Sequence, residues 1–295
     1  MKIYESKVEG RESSARTRSS RIFRPRPSSL VPRHPSGFTL IELLVVIAIL
    51  GIMAGLTVPV LKNFAKSDAT LGASRQLLDG VARARQLAVS QRTTVYMVFV
   101  PQNFWNGLSS AQTNTPAGMT AAINLCDKQF TGYTFVSLRS VGDQPGQGAP
   151  RYLAPWQNLP DNTFIALAKF TNSPAQSYII TDPISAAAYN VYGFNTNATF
   201  PFPTADAAPW IPLPYIAFNY LGQLTINGVD VSGSDEYIPI AKGSVLYARD
   251  PVSKTFLFNS PDVLEMPPGN STNSYNIVHI DRLTGRAVLE FQKTQ

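Results

Sequence analysis

The chain reads as an α+β protein: a long N-terminal helix, membrane-spanning in its first half and amphipathic in its second, packed on an antiparallel β-sheet head. Three observations predict this. Nineteen uncharged residues run from Leu43 to Leu61. Behind them small and apolar residues recur at spacings of mostly three and four as far as Ala88. From Thr93 onward candidate strands follow one another without intervening helical patterns, which argues for antiparallel pairing rather than a doubly wound sheet. The organisation expected is a basic leader over residues 1–37, a helix over 38–92 with its transmembrane segment at 43–61, and a β-rich head with loop insertions over 93–295.

The leader holds nine Lys or Arg residues against Glu5, Glu9 and Glu12, a balance equal to the whole net charge of +6. Basic and acidic residues are equal beyond it, so the basic character says nothing about the head, and no nucleic-acid partner is expected. The same leader fits the positive-inside rule, which keeps the amino terminus cytoplasmic and sends the chain after Leu61 across the membrane, although Lys62 and Lys66 lie on the far side.

At about 1.5 Å per residue, residues 43–61 make a helix of roughly 28 Å, the thickness of a bilayer's hydrocarbon core. A secretory signal peptide has a shorter apolar region followed by a small-residue cleavage site. The Ala54-Gly55 area is a weak site of that kind. Glu42 stands at the head of the segment, and an acidic residue at the centre of a membrane helix costs about 2.5 to 3.5 kcal/mol on insertion scales. It therefore calls for a function. Pro59 is expected to kink the helix, because proline lacks the backbone donor and clashes one turn back.

Leu71, Ser74, Leu77, Leu78, Val81, Ala84, Leu87 and Ala88 form one helical stripe, the predicted seat for a sheet. Gly72 and Gly80 lower helix propensity without interrupting it. Thr93–Val100 is rich in β-branched and aromatic residues and reads as the first strand. Further strands are predicted at Tyr133–Leu138, Thr163–Phe170, Ser177–Ile180, Tyr215–Tyr220, Gln223–Ile226, Tyr237–Ile240, Gly243–Tyr247, Thr255–Phe258, Tyr275–Ile280 and Ala287–Phe291. Pro239 makes Tyr237–Ile240 an edge strand at best, and Asn227-Gly228 and Thr284-Gly285 mark hairpin turns. Pro101–Gln129, Gly142–Pro160 and the proline-rich Asp182–Pro214 read as loops.

Gly37-Phe38-Thr39-Leu40-Ile41-Glu42 leading into an apolar helix resembles the processing site of type IV prepilins and type II secretion pseudopilins. Counted from Phe38, Glu42 is the fifth residue, Gly51 the fourteenth and Pro59 the twenty-second, where that family commonly carries glutamate, glycine and proline. The resemblance implies cleavage after Gly37 by a prepilin peptidase, N-methylation of Phe38, and a register-setting assembly role for Glu42. The segment from Ala73 through Ala88, Tyr215–Phe218 with Gly222 and Leu224, and Ile277–Ile280 with Thr284-Gly285-Arg286 look like the minor pseudopilin H and fimbrial assembly pilin group. The loop-rich regions make this head longer than that group usually has.

What the resemblance implies is a non-enzymatic structural subunit: a minor component of a type II secretion pseudopilus or type IV pilus-like filament. Its partners are then the prepilin peptidase, other pilin or pseudopilin subunits, an inner-membrane assembly platform and the lipid bilayer. Its place is the inner membrane as a single-pass protein, with the head periplasmic, or extracellular after assembly. A major, adhesive or DNA-uptake pilin and a membrane-anchored binding domain that never polymerises are the other readings.

No catalytic residue, cofactor or metal site is expected. His279 near Ser271 lacks a nucleophile-elbow motif, and no group of His, Cys, Asp and Glu has zinc spacing. Asp230, Asp235 and Glu236 gather in one loop without EF-hand order and read as a solvated acidic loop. Cys126 is alone, so the head must be held by packing rather than an intrachain disulfide.

Overall fold

The computed structural model describes residues 38–140, 142–144, 148–182, 184–273 and 276–291, with side chains at all of these except 55–68. The leader 1–37, including Gly37, lies outside the described residues, as do the side chain of Pro59 and those of the last third of the expected span. The chain divides into two compact units, residues 1–54 and 55–295.

In chain order the elements are α1 (Leu40–Gln91), β1 (Val95–Phe99), α2 (Ser110–Thr113), α3 (Pro116–Ile123), β2 (Gly132–Ser137), β3 (Arg151–Tyr152), β4 (Gln157–Asn158) and β5 (Thr163–Ile165). There follow α4 (Ala168–Thr171), β6 (Ser177–Thr181), β7 (Ala188–Tyr192), β8 (Thr199–Phe200), β9 (Ile211–Pro212), β10 (Tyr215–Phe218) and β11 (Leu224–Thr225). The chain closes with β12 (Glu236–Leu246), β13 (Asp262–Glu265), α5 (Asn270–Asn273), β14 (Asn276–Ile280) and β15 (Ala287–Phe291). The class is α+β, and all named pairings are antiparallel.

In the first unit the described part of α1 is apolar all round, with Leu40, Ile47, Leu50 and Met53 among many exposed side chains. Among the described residues, no helix is long and apolar enough to cross a membrane. The expected span 43–61 continues into residues whose side chains are not described.

In the second unit the predicted stripe is the seat of the head. Ala73, Ser74, Leu77, Val81, Ala84 and Ala88 are fully buried, while Leu71, Leu78 and Leu87 are half-buried at its margins. Two larger sheets share this seat. The first runs β11-β10-β1-β2-β3 with β4 also on β2; the second runs β13-β12-β14-β15 with β5 also on β12. Val95, Met97, Phe99, Tyr133, Phe135, Ile216 and Phe218 from the first join Ile165, Ile238, Ile240, Val278 and Ile280 from the second in one core with the helix. Gly80 permits the close approach: a Cβ there would stand 3.2 Å from both Met97 Cε and Tyr133 Cε2.

The first sheet is buried on its other face as well. Tyr96, Val98, Tyr215 and Ala217 point away from α1 into a second core built with Phe104, Leu125, Phe200, Phe202 and Ile211. Rings meet edge-on there, Tyr96 with Phe200 at 5.2 Å and Phe104 with Phe202 at 5.3 Å, a favoured aromatic geometry. Gln112 anchors α2 to the proline-rich segment, its amide donating to Phe202 O at 2.7 Å and Pro209 O at 2.9 Å.

Several expectations are corrected. The region 101–129 contains the short α-helices α2 and α3 and two 3-10 helices, Phe104–Gly107 and Cys126–Lys128, and Asp182–Pro214 contains β7, β8 and β9. Thr163–Phe170 is a strand only to Ile165 and then turns into α4, and Thr255–Phe258 keeps a single bridge, Phe256 with Arg249. Tyr237–Ile240 and Gly243–Tyr247 are one continuous strand, β12, and Pro239 sits inside it rather than on an edge. The tolerance has a local cause. Ala166 N donates to Pro239 O, so Pro239 turns its missing N–H towards β5 at the end of that ladder; the Ala166 carbonyl accepts instead from Lys169 N at 3.0 Å.

Candidate functional site

The helix start carries a reciprocal cap. Thr39 N and Thr39 Oγ1 donate to Glu42 Oε2 at 3.0 and 2.9 Å, and Glu42 N donates to Thr39 Oγ1 at 3.3 Å. This is a capping box, with the carboxylate reaching back to orphan donors of the first turn. Both bonds to the carboxylate use Oε2, so Oε1 is the oxygen placed for a further donor. Phe38, next to the box, is 80 % exposed. Sequence reasoning singled out Glu42 as a stranded charge but did not see Thr39 as its local partner, although the Thr-x-x-Glu spacing carries that signal.

At the far end of α1, the two hairpin turns meet the helix. Arg85 Nε donates to Thr284 O at 2.7 Å, and Leu224 N donates to Arg282 O at 3.0 Å. Gly285 has φ 61°, and a Cβ on it would lie 1.9 Å from Gly222 O. These contacts tie the β10–β11 turn and the β14–β15 turn together over one helical face.

The chemical candidates in the head are dispersed into structural roles. Ser271 Oγ donates to Glu265 at 2.7 Å, whereas His279 lies between Asp235 at 3.1 Å and Glu290 at 3.3 Å and stacks on Tyr237. In the Asn227–Glu236 loop the carboxylates diverge. Asp230 binds Asn227, Asp235 accepts from Arg282 N, and Glu236 pairs with Lys169. Among the described residues, no three of His, Cys, Asp and Glu converge as metal ligands.

The Lys169–Glu236 pair was not foreseen. Lys169 is fully buried, its Nζ donating to Tyr192 O at 2.6 Å and to Glu236 and lying 4.4 Å from the Phe194 ring centroid. Burial pulls the ammonium below its ordinary value and pushes the Glu236 carboxyl above its own, each charge opposing the other's shift. The two residues are separated by sixty-seven positions and give no sequence signal. An open cleft of about 580 Å³ between β7, β10 and the Ser232–Glu236 stretch has Glu236 in its wall.

Residues 32–58 match the family model described as the prokaryotic N-terminal methylation motif. No curated protein and no solved structure matches the chain. The matched segment spans both Gly37-Phe38 and the Thr39–Glu42 box, and is similar to the leader of type IV pilin-like substrates of the prepilin peptidase.

Proposed function

We propose that the chain is a subunit, of the minor kind, of a type II secretion pseudopilus or type IV pilus-like filament. The single observation that carries this reading is the methylation-motif match at residues 32–58, which contains the Gly37-Phe38 junction and Glu42. Cleavage after Gly37 frees the amino group of Phe38, and methylation follows there. The apolar segment 43–61 holds the unassembled subunit in the inner membrane, with residues 93–295 on the outer side. Pro59 kinks this segment or loosens its last turns. Assembly exchanges lipid for neighbouring helices around the segment, so packing and polar contacts, rather than the hydrophobic effect, decide the outcome.

Glu42 sets register in this scheme. Its Oε2 keeps the local cap, while Oε1 accepts from the Phe38 amino group of a neighbouring subunit, which gives a charge in apolar surroundings its partner. Glu42→Ala is expected to lower incorporation into filaments at least tenfold while leaving cleavage intact, measured by immunoblot of sheared filaments. Incorporation equal to wild type refutes the register role.

The decisive experiment is quantitative mass spectrometry of membrane and sheared-filament fractions, searching for a peptide beginning at N-methylated Phe38. Its presence in filaments at a trace ratio to the major subunit is the expected result. Gly37→Val is expected to retain residues 1–37. Only leader-bearing protein in the wild-type membrane, or normal maturation of Gly37→Val, overturns the assignment.

A further inference from the structure

The cleft that has Glu236 in its wall is polar without being ionic. Its volume of about 580 Å³ falls within the roughly 300–1,000 Å³ typical of small-ligand sites. The end of β7 and the segment after it form one side, and Ser232–Ser234 with Glu236 form another; β10 and β11 supply residues between them. Among the lining residues only Glu236 is charged at neutral pH.

That charge is answered from behind. Glu236 Oε1 meets Nζ of Lys169, and Lys169 is fully buried and does not line this cleft. Asp235, the next residue back, is committed elsewhere: its carboxylate accepts from Arg282 N at 2.9 Å and meets His279 Nε2 at 3.1 Å. The nearby Arg282 guanidinium donates to Gly233 O at 2.8 Å. An ionic ligand therefore finds no unpaired opposite charge here.

What the cleft does offer is uncommitted hydrogen-bonding groups. Asn195 spends its Oδ1 on Asn197 N, and Ser234 and Tyr192 are engaged through main-chain atoms. Among the described residues, Asn195 Nδ2, the Asn197 amide, Ser234 Oγ, the Tyr192 hydroxyl and Glu236 Oε2 make no hydrogen bond. An apolar ligand strands such groups out of water, at a cost for each. Paired hydroxyls satisfy them, because an amide both donates and accepts and a carboxylate oxygen accepts strongly from O–H. Pro174 and Ile226, both exposed in the lining, add apolar surface for the C–H faces of a sugar ring.

We propose that this cleft binds an uncharged saccharide, held as a segment of a longer chain. The cleft is open at its mouth, so both ends of such a segment can run on into solvent. Every group involved lies between residues 169 and 236, so the site needs nothing from the apolar segment 43–61 and stands apart from the filament reading.

The test is saturation-transfer NMR on the full chain in zwitterionic micelles, which carry no sugar headgroup. The probes are chitotriose and maltotriose, with the cationic trimer of glucosamine and the anionic trimer of galacturonate as charged counterparts. At least one neutral trimer is expected to bind with a dissociation constant of about 1 mM or tighter, and the charged trimers severalfold more weakly. Gly233→Leu adds a side chain to the wall where no described atom lies within 4 Å of the new Cβ, and Asn197→Ala removes an exposed amide. Neither touches the Lys169–Glu236 pair, so each is expected to weaken binding severalfold at an unchanged melting temperature. Failure of both neutral trimers to bind, or tighter binding of a charged one, overturns the proposal. Binding that is unchanged in both variants places the sugar elsewhere and overturns it equally.

Discussion

Gly285→Ala tests the junction where two sheets are tied to the helix. The substitution places an alanine at φ 61° with its Cβ 1.9 Å from the Gly222 carbonyl oxygen, so the two turns must separate. Left-handed backbone costs an L-residue about 1–2 kcal/mol. Separation also loosens the bonds from Gly285 N to Asp281 O at 2.8 Å, Leu224 N to Arg282 O at 3.0 Å and Arg85 Nε to Thr284 O at 2.7 Å. At about 1 kcal/mol net for each bond, partial loss of the three brings the expected total to about 3–5 kcal/mol. For a head of this size that lowers the melting temperature by roughly 10 °C. Gly142→Ala is the control, since φ there is 96° but no atom of the described residues lies within 4 Å of the added Cβ, leaving backbone strain as the described cost. Thermal unfolding of both full-length variants in detergent micelles, followed by tryptophan fluorescence, separates the terms. Equal melting temperatures for the two variants refute the argument that the turn-to-turn approach matters.

Lys169→Met is expected to destabilise by about 1–3 kcal/mol, because it leaves the partly exposed Glu236 carboxyl in the cleft wall without its ammonium. Lys169→Met combined with Glu236→Leu is expected to recover most of this loss in the same melting assay. Burial and the adjacent Asp127 push the Cys126 thiol up to about 11, so at pH 8 a disulfide reagent is expected to titrate no thiol until denaturant is added. The Thr284 hydroxyl and N–H hold Asp281 below the ordinary carboxylate range, so its stabilisation of the β14–β15 turn is complete above about pH 4 and is lost as pH falls through the lower folded value. Amide exchange at Gly285 is expected to accelerate there more than at β14 positions after correction for intrinsic rates.

The helix and its buried face were legible because their signals are local. Ala73, Leu77, Val81, Ala84 and Ala88 repeat at helical spacing and are all buried. The Gly-Phe-Thr-Leu-Ile-Glu segment was legible for a similar reason, since the Gly37-Phe38 pair, the carboxylate and the apolar run adjoin one another within the matched motif. What escaped was assembled over distance. Phe104, Trp156, Phe200 and Phe202 look like isolated aromatics in loop-like sequence, yet they converge into one core. Pro239 reads as an edge marker because sequence cannot show that Ala166 has another donor for its carbonyl. Lys169 and Glu236 carry no mutual spacing rule, and only the closed fold brings them together.

The double burial of the first sheet bears on how such a head can be engineered. Its strand residues Tyr96, Val98, Tyr215 and Ala217 lie beneath the very segments that look dispensable, 101–129 and 198–213. Shortening those segments to reach a more compact head uncovers a contiguous apolar surface on a sheet whose neighbours in solution include other copies. Aggregation, rather than a leaner subunit, is the outcome to expect from such trimming. Sites for tags or cargo belong instead on turns that cover no core.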